Sequence, residues 1–193
     1  MRVLVEDLQP GTTYDDRFEA PDGSRPAYVG RTRTAPAPDD DTAVRFAFAS
    51  CQAYEAGYYD AYRWLLDEDA AASQDRSIDF ILHLGDFIYE GLGYGAARTV
   101  PPFPDGGRHG PEGTEQHART LADYRHLYKT YLSDPDLQEA RARFPFVNIW
   151  DDHEFTNDAW QGAATYDAGG EPAQERKVAA NRAWFEFIPA VLS

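Results

Sequence analysis

The sequence predicts an α/β protein: a parallel sheet flanked by helices, preceded by a few strands of a smaller β unit. Three observations lead there. Two apolar runs, Val44 to Ala49 and Phe80 to Leu84, are separated by a stretch with helical spacing (Tyr62, Leu65, Leu66), which makes a β-α-β unit. The second run is continuous rather than alternating, as in strands covered on both faces. It ends in Gly85-Asp86, and a third run, Phe144 to Trp150, also ends in acids, at the edge where open α/β sheets collect ligands.

Composition removes several function classes. The 193 residues carry 33 acidic and 18 basic side chains, for a formal charge of −15, and the only lysines are Lys129 and Lys177. Such a surface repels nucleic acid and anionic membrane. High salt or a GC-rich genome would each favour this acidic, arginine-dominated balance. The single cysteine, Cys51, rules out an internal disulfide. No segment approaches the roughly 18 apolar residues of a membrane span, and residues 1–7 lack the apolar core of a signal peptide.

Residues 1–36 are expected to be β structure, with Val3-Leu4-Val5 as a short strand and Tyr28 to Thr34 as a last one. Between them the Leu8-x-Pro10-x-Thr12-x-Tyr14 pattern resembles the corner before the late strands of fibronectin type III sandwiches. About three strands fit, so this is expected to be the remnant of such a domain. Ala35 to Asp41 is a proline and acid linker. Residues 44–193 form the second unit: the strand from Val44, a helix over Tyr59 to Ala72, the strand from Phe80, and a glycine- and proline-rich loop from Gly91 to Gly113. Helices follow over Leu121 to Tyr131 and Pro135 to Arg143, the second introduced by the cap and first-turn proline of Asp134-Pro135. A strand over Phe144 to Trp150 and a closing helix over Glu175 to Phe187 complete the order.

Three strand ends therefore converge: Ser50-Cys51-Gln52, Gly85-Asp86-x-x-Tyr89 and Asp151-Asp152-His153-Glu154. Two metal ions ~3.5–4 Å apart need a bridging carboxylate with oxygen, nitrogen or sulfur donors on either side. Asp86 stands where it can bridge. Cys51 and Tyr89 would bind the more oxidised ion and Asp152 the other, while His153 donates to a phosphoryl group or leaving oxygen. Cys51 is otherwise buried filler, and Asp151 is otherwise a cap or ion-pair partner. His83 reads as a satisfied core histidine, whereas His109, His117 and His126 read as solvent-exposed. Trp64, Trp150, Trp160 and Trp184 read as core packing.

These residues, together with Asp123-Tyr124-Arg125, Asp134 to Gln138 and Asn157, resemble the PhoD-like alkaline phosphatase family of the calcineurin-like metallophosphoesterases, over roughly residues 44 to 189. The Gly-Asp-x-x-Tyr stretch is also similar to that of purple acid phosphatases. The resemblance implies the amino-terminal half of a metallophosphoesterase fold, and hydrolysis of phosphate mono- and diesters by metal-activated water using Fe(3+) and Ca(2+). Cys51, Asp86 and Tyr89 match the iron ligands, Asp152 the second-metal ligand, with Asp151 or Asn157 as substitutes, and His153 the catalytic histidine. It further implies an exported, extracellular or cell-envelope enzyme, whereas the chain as written would stay cytoplasmic. The family's last histidine and acid ligands lie downstream of Ser193. The chain is thus expected to be truncated at both ends, either from an active enzyme or as an incomplete fragment or pseudoenzyme.

Overall fold

The computed structural model describes residues 3–73, 76–109, 116–163 and 173–190. Strands β1 (Thr13–Asp16) and β2 (Gly30–Arg33) form an antiparallel ribbon, with Tyr14 opposite Thr32. Val3, Leu4 and Val5 lie outside any strand and are exposed, correcting the expectation of a strand there. Three residues have too little chain to build a ladder without a partner strand. Arg33 ties the ribbon to the rest of the protein through Asp79, 2.7 Å away.

The main sheet comprises β3 (Phe46–Ala49), β4 (Phe80–His83) and β7 (Phe146–Asn148), all parallel with β4 in the centre. Helix α1 (Asp60–Ala71) makes the crossover from β3 to β4, burying Tyr62, Leu66 and Asp69 along one stripe. A short pairing of β5 (Arg108–His109) with β6 (Gln116–His117) lies within the long connection after β4. Helix α2 (Leu121–Tyr131) starts at a capping box between Thr120 and Asp123, and α3 (Pro135–Arg143) at Asp134 with proline in its first turn. Helix α4 (Gln174–Phe187) packs against α2.

The pleat sorts the sheet residues. Ile81 and His83 are fully buried, and Phe146, in register with Ile81, meets Tyr62 of α1 and Arg141 of α3. On the other face Phe48, Leu82 and Val147 stand side by side, with Phe48 72% and Val147 50% exposed. The continuous apolar run at β4 suggested cover on both faces, but among the described residues one face is covered. Leu84, at the end of that run, is exposed as well. Of the four tryptophans only Trp184 is buried; Trp64, Trp150 and Trp160 are exposed, correcting their reading as core. The core is instead dominated by Tyr124, Tyr128 and Tyr131 of α2 with Phe87 and Phe144.

Candidate metal centre

The carboxyl ends of the three parallel strands are laced together by backbone bonds. Cys51 and Gln52 donate their N–H groups to the carbonyls of Gly85 and Asp86 at 3.2 and 3.1 Å. The turn after β4 is tight enough to require glycine: Gly85 has φ +103°, and a Cβ there would lie 2.6 Å from the Asp151 backbone nitrogen. Cys51 and Asp86 themselves adopt φ 58° and 55°, the left-handed region that non-glycine residues enter at a cost. Both therefore store strain at the predicted site.

Glu154 fixes this arrangement from beneath. Its carboxylate accepts the N–H groups of Asp86 at 3.2 Å, Phe87 at 2.5 Å and Asp151 at 2.7 Å, joining the turns after β4 and β7. Burial pushes its carboxyl up to about 7 against the lowering pull of those three donors. Gln52 does similar work after β3, with its side chain bonded to Phe87 and Tyr62.

Among the described residues Asp86, Asp152 and His153 bring ligand atoms within 4.8 Å of one another. The Cys51 Sγ and the Tyr89 hydroxyl each lie 3.4 Å from Asp86 Oδ2. Four sequence-predicted residues, Cys51, Tyr89, Asp152 and His153, thus meet around the carboxylate of a fifth, Asp86. Cys51 is exposed rather than core filler. Asp152 accepts the His153 N–H at 3.0 Å and the Asp158 N–H, so it shapes its own turn as well as facing the cluster. Asp151 is exposed and joins through its backbone. Asn157 bonds by its N–H to Glu90 at 2.8 Å, and its side chain reaches Asp158 at 3.5 Å.

The electrostatics describe a cation site. Burial, with Asp152 and Asp151 nearby, keeps the Asp86 carboxyl above its usual range, although His153 and Cys51 pull the other way. Asp86 Oδ1 is buried without a hydrogen-bond partner among the described residues. Burial and the Asp86 charge push the Tyr89 phenol up, so a strong positive charge is needed to make it a phenolate. Clustered carboxylates, an orphaned carboxylate oxygen, a phenol, a thiol and an imidazole fit a pair of hard or borderline metal ions. Beside the cluster opens a cavity of about 330 Å³ lined by Asp152, Glu154, Lys177 and Trp184.

Sequence reasoning missed Glu90 and Glu154, although both follow the residues it chose. It also missed His117, which is buried with its Nδ1 3.8 Å from Glu90 rather than solvent-exposed. His83 is buried as expected, but its Nε2 has no hydrogen-bond partner among the described residues, so it is not the satisfied core histidine that the sequence suggested; His126 is half-buried rather than exposed, with Nε2 2.9 Å from the Pro101 carbonyl; the His109 side chain lies outside the described residues.

A family profile described as PhoD-like phosphatase matches residues 46–192. Alkaline phosphatase D of Bacillus subtilis (strain 168) is 36% identical over 194 residues, a match covering 100% of this chain and 30% of that protein. A solved structure of PhoD superimposes with a TM-score of 0.69 at 35% identity, covering 96% of this chain and 33% of that one. The chain therefore spans about a third of the length of the relatives it matches.

Proposed function

The chain belongs to the PhoD-like phosphatase family, and on that premise we propose that it forms part of a metal-dependent phosphoesterase acting on phosphate mono- and diesters. The observation that carries the reading is the convergence of Asp86, Asp152 and His153 within 4.8 Å at the ends of β4 and β7. In this proposal Cys51, Asp86 and Tyr89 would hold Fe(3+), and Asp152 would hold Ca(2+). Such a metal pair, when bound, neutralises phosphoryl charge and makes water a better nucleophile.

The chain's own residues supply the rest. His153 donates from its ring to the leaving oxygen, so that the alkoxide need not depart unprotonated. Its raised pKa favours that role: burial lowers it, but the bond to Glu90 and the charges of Glu90, Asp86 and Asp152 outweigh burial. Lys177, in the wall of the neighbouring cavity, offers the substrate a cation in an otherwise acidic surround. We extend the reading to the calcineurin-like superfamily, and to residues 1–36 as the last strands of a fibronectin-III-like domain ahead of residues 44–193. The β1–β2 ribbon supports that division. An extracellular or cell-envelope location belongs to the same proposal. Among the described residues no helix is long and apolar enough to cross a membrane.

The test is the iron and calcium content of the purified chain, its visible spectrum and its hydrolysis of p-nitrophenyl phosphate. Bound iron with a charge-transfer band that disappears in Tyr89→Phe, and hydrolysis abolished in His153→Ala, are the expected results. A folded chain that takes up neither metal and leaves the ester intact would overturn the proposal for this chain.

A further inference from the structure

Glu90 is 1% exposed and its two carboxylate oxygens have different partners. Oε2 lies 2.7 Å from His153 Nδ1 and accepts the Tyr94 hydroxyl at 3.3 Å. Oε1 accepts the Asn157 N–H at 2.8 Å and the Thr156 hydroxyl at 3.1 Å, with His117 Nδ1 at 3.8 Å. Its own carbonyl accepts the Ala118 N–H at 2.7 Å, so the backbone is fixed as well. The His153 ring is clamped on its other sides: it stacks on Tyr89 at 4.1 Å between centroids and meets the Tyr94 ring edge-on at 5.4 Å.

From this geometry we infer that Glu90 is the positioning residue of the site: its buried carboxylate accepts a hydrogen bond from the His153 Nδ1–H, fixes the ring plane, and leaves Nε2 as the nitrogen available for chemistry. An ionised carboxylate can only accept, so Nδ1 must be the donor. Oε1 already acts as an acceptor, from the Asn157 N–H and the Thr156 hydroxyl, so the geometry of the whole carboxylate is that of an acceptor. A histidine tied in this way presents one face and one nitrogen to its substrate, the arrangement by which a second carboxylate sets tautomer and orientation in other sites. The consequence for catalysis rests on the phosphoesterase reading, whereas the tautomer itself does not.

The two oxygens also dictate what the isosteric variant will do. Glu90→Gln keeps its amide oxygen where Oε1 was, because the Asn157 N–H cannot accept a hydrogen bond. The amide nitrogen then faces His153 Nδ1 and donates to it. The neutral ring must therefore switch from the Nδ1–H to the Nε2–H form.

Nitrogen-15 spectra of the imidazole rings in the chelator-treated chain, recorded at alkaline pH where the rings are neutral, measure this directly. His153→Gln identifies the signal. The inference expects Nδ1–H in the wild type and in Glu90→Asp, and Nε2–H in Glu90→Gln. A wild-type ring protonated on Nε2, or a Glu90→Gln spectrum unchanged from wild type, overturns it. Should Glu90→Gln fail to fold, the wild-type tautomer alone decides. If the chain hydrolyses phosphate esters, Glu90→Gln lowers kcat about 10- to 100-fold and changes KM little. Absent hydrolysis with the expected tautomers would count against the phosphoesterase reading and leave the positioning role standing.

Discussion

The carboxylate of Glu154 accepts the backbone N–H of Asp86 at 3.2 Å across 68 positions of sequence. That bond, with the two others to Phe87 and Asp151, means that the proposed bridging ligand is held in place by a residue that need not touch metal or substrate. Glu154→Ala is therefore expected to leave buried N–H groups unsatisfied and to cost about 2–4 kcal/mol of stability. Urea unfolding of the metal-free chain measures it, and a loss below about 0.5 kcal/mol would mean that the turns hold without the carboxylate.

Gly85 has no room for a methyl group: the added carbon would sit 2.5 Å from Asp151 Cβ. Gly85→Ala adds this clash to a positive φ, and should destabilise by about 3 kcal/mol. Because relief of the clash must move the Asp151 backbone away from β4, iron binding should fall with it. Parallel titrations of stability and iron uptake test the coupling.

Cys51 presents the opposite case. It is exposed, with φ 58°, so glycine loses little packing there and relieves the left-handed strain. Set against glycine's own entropy cost, Cys51→Gly should leave the metal-free chain about 0.5–1 kcal/mol more stable. The same change should weaken iron binding. A chain that is destabilised instead would show that the thiol contributes to folding.

Acid should weaken the fold through Asp69. This carboxylate accepts Ile78 N–H at 2.8 Å, the Ser77 hydroxyl at 2.7 Å and Arg143 at 2.6 Å, tying the end of α1 to the entry of β4 and to α3. Burial raises its pKa, but those bonds together hold it below the usual carboxylate range. A folded-state pKa below the unfolded one gives stability that is present above the unfolded value and lost as pH falls through the folded one. Asp69→Asn should thus cost about 2–3 kcal/mol near neutrality and flatten the decline below about pH 4. Thermal melts of both proteins from neutral to acid pH give the comparison.

The exposed sheet face should govern solubility rather than stability. Phe48 is 72% exposed beside Leu82 and Val147, a contiguous apolar surface of the kind that promotes association. Phe48→Lys is expected to change stability by less than about 0.5 kcal/mol while reducing self-association in sedimentation.

Local physical chemistry made much of this protein legible in its sequence. Helix α2 from Leu121 and helix α3 from Asp134-Pro135 were readable because caps and first-turn prolines act within four residues. The parallel pairing of β3 with β4 and the meeting of Cys51, Asp86, Tyr89, Asp152 and His153 followed from apolar runs that each end in a polar group, whereas the place of β7 beside β4 did not. Long-range contact decided the rest. Nothing near Glu90 in the chain says that its oxygens will be divided between His153 and the Thr156–Asn157 turn, more than 60 positions away. The apolar run at β4 reports that its residues prefer burial, not how many faces are covered. Likewise Trp64 and Trp160 are apolar by composition and exposed by position, because a side chain's burial depends on which other segments reach it, and that is settled only when the whole chain packs.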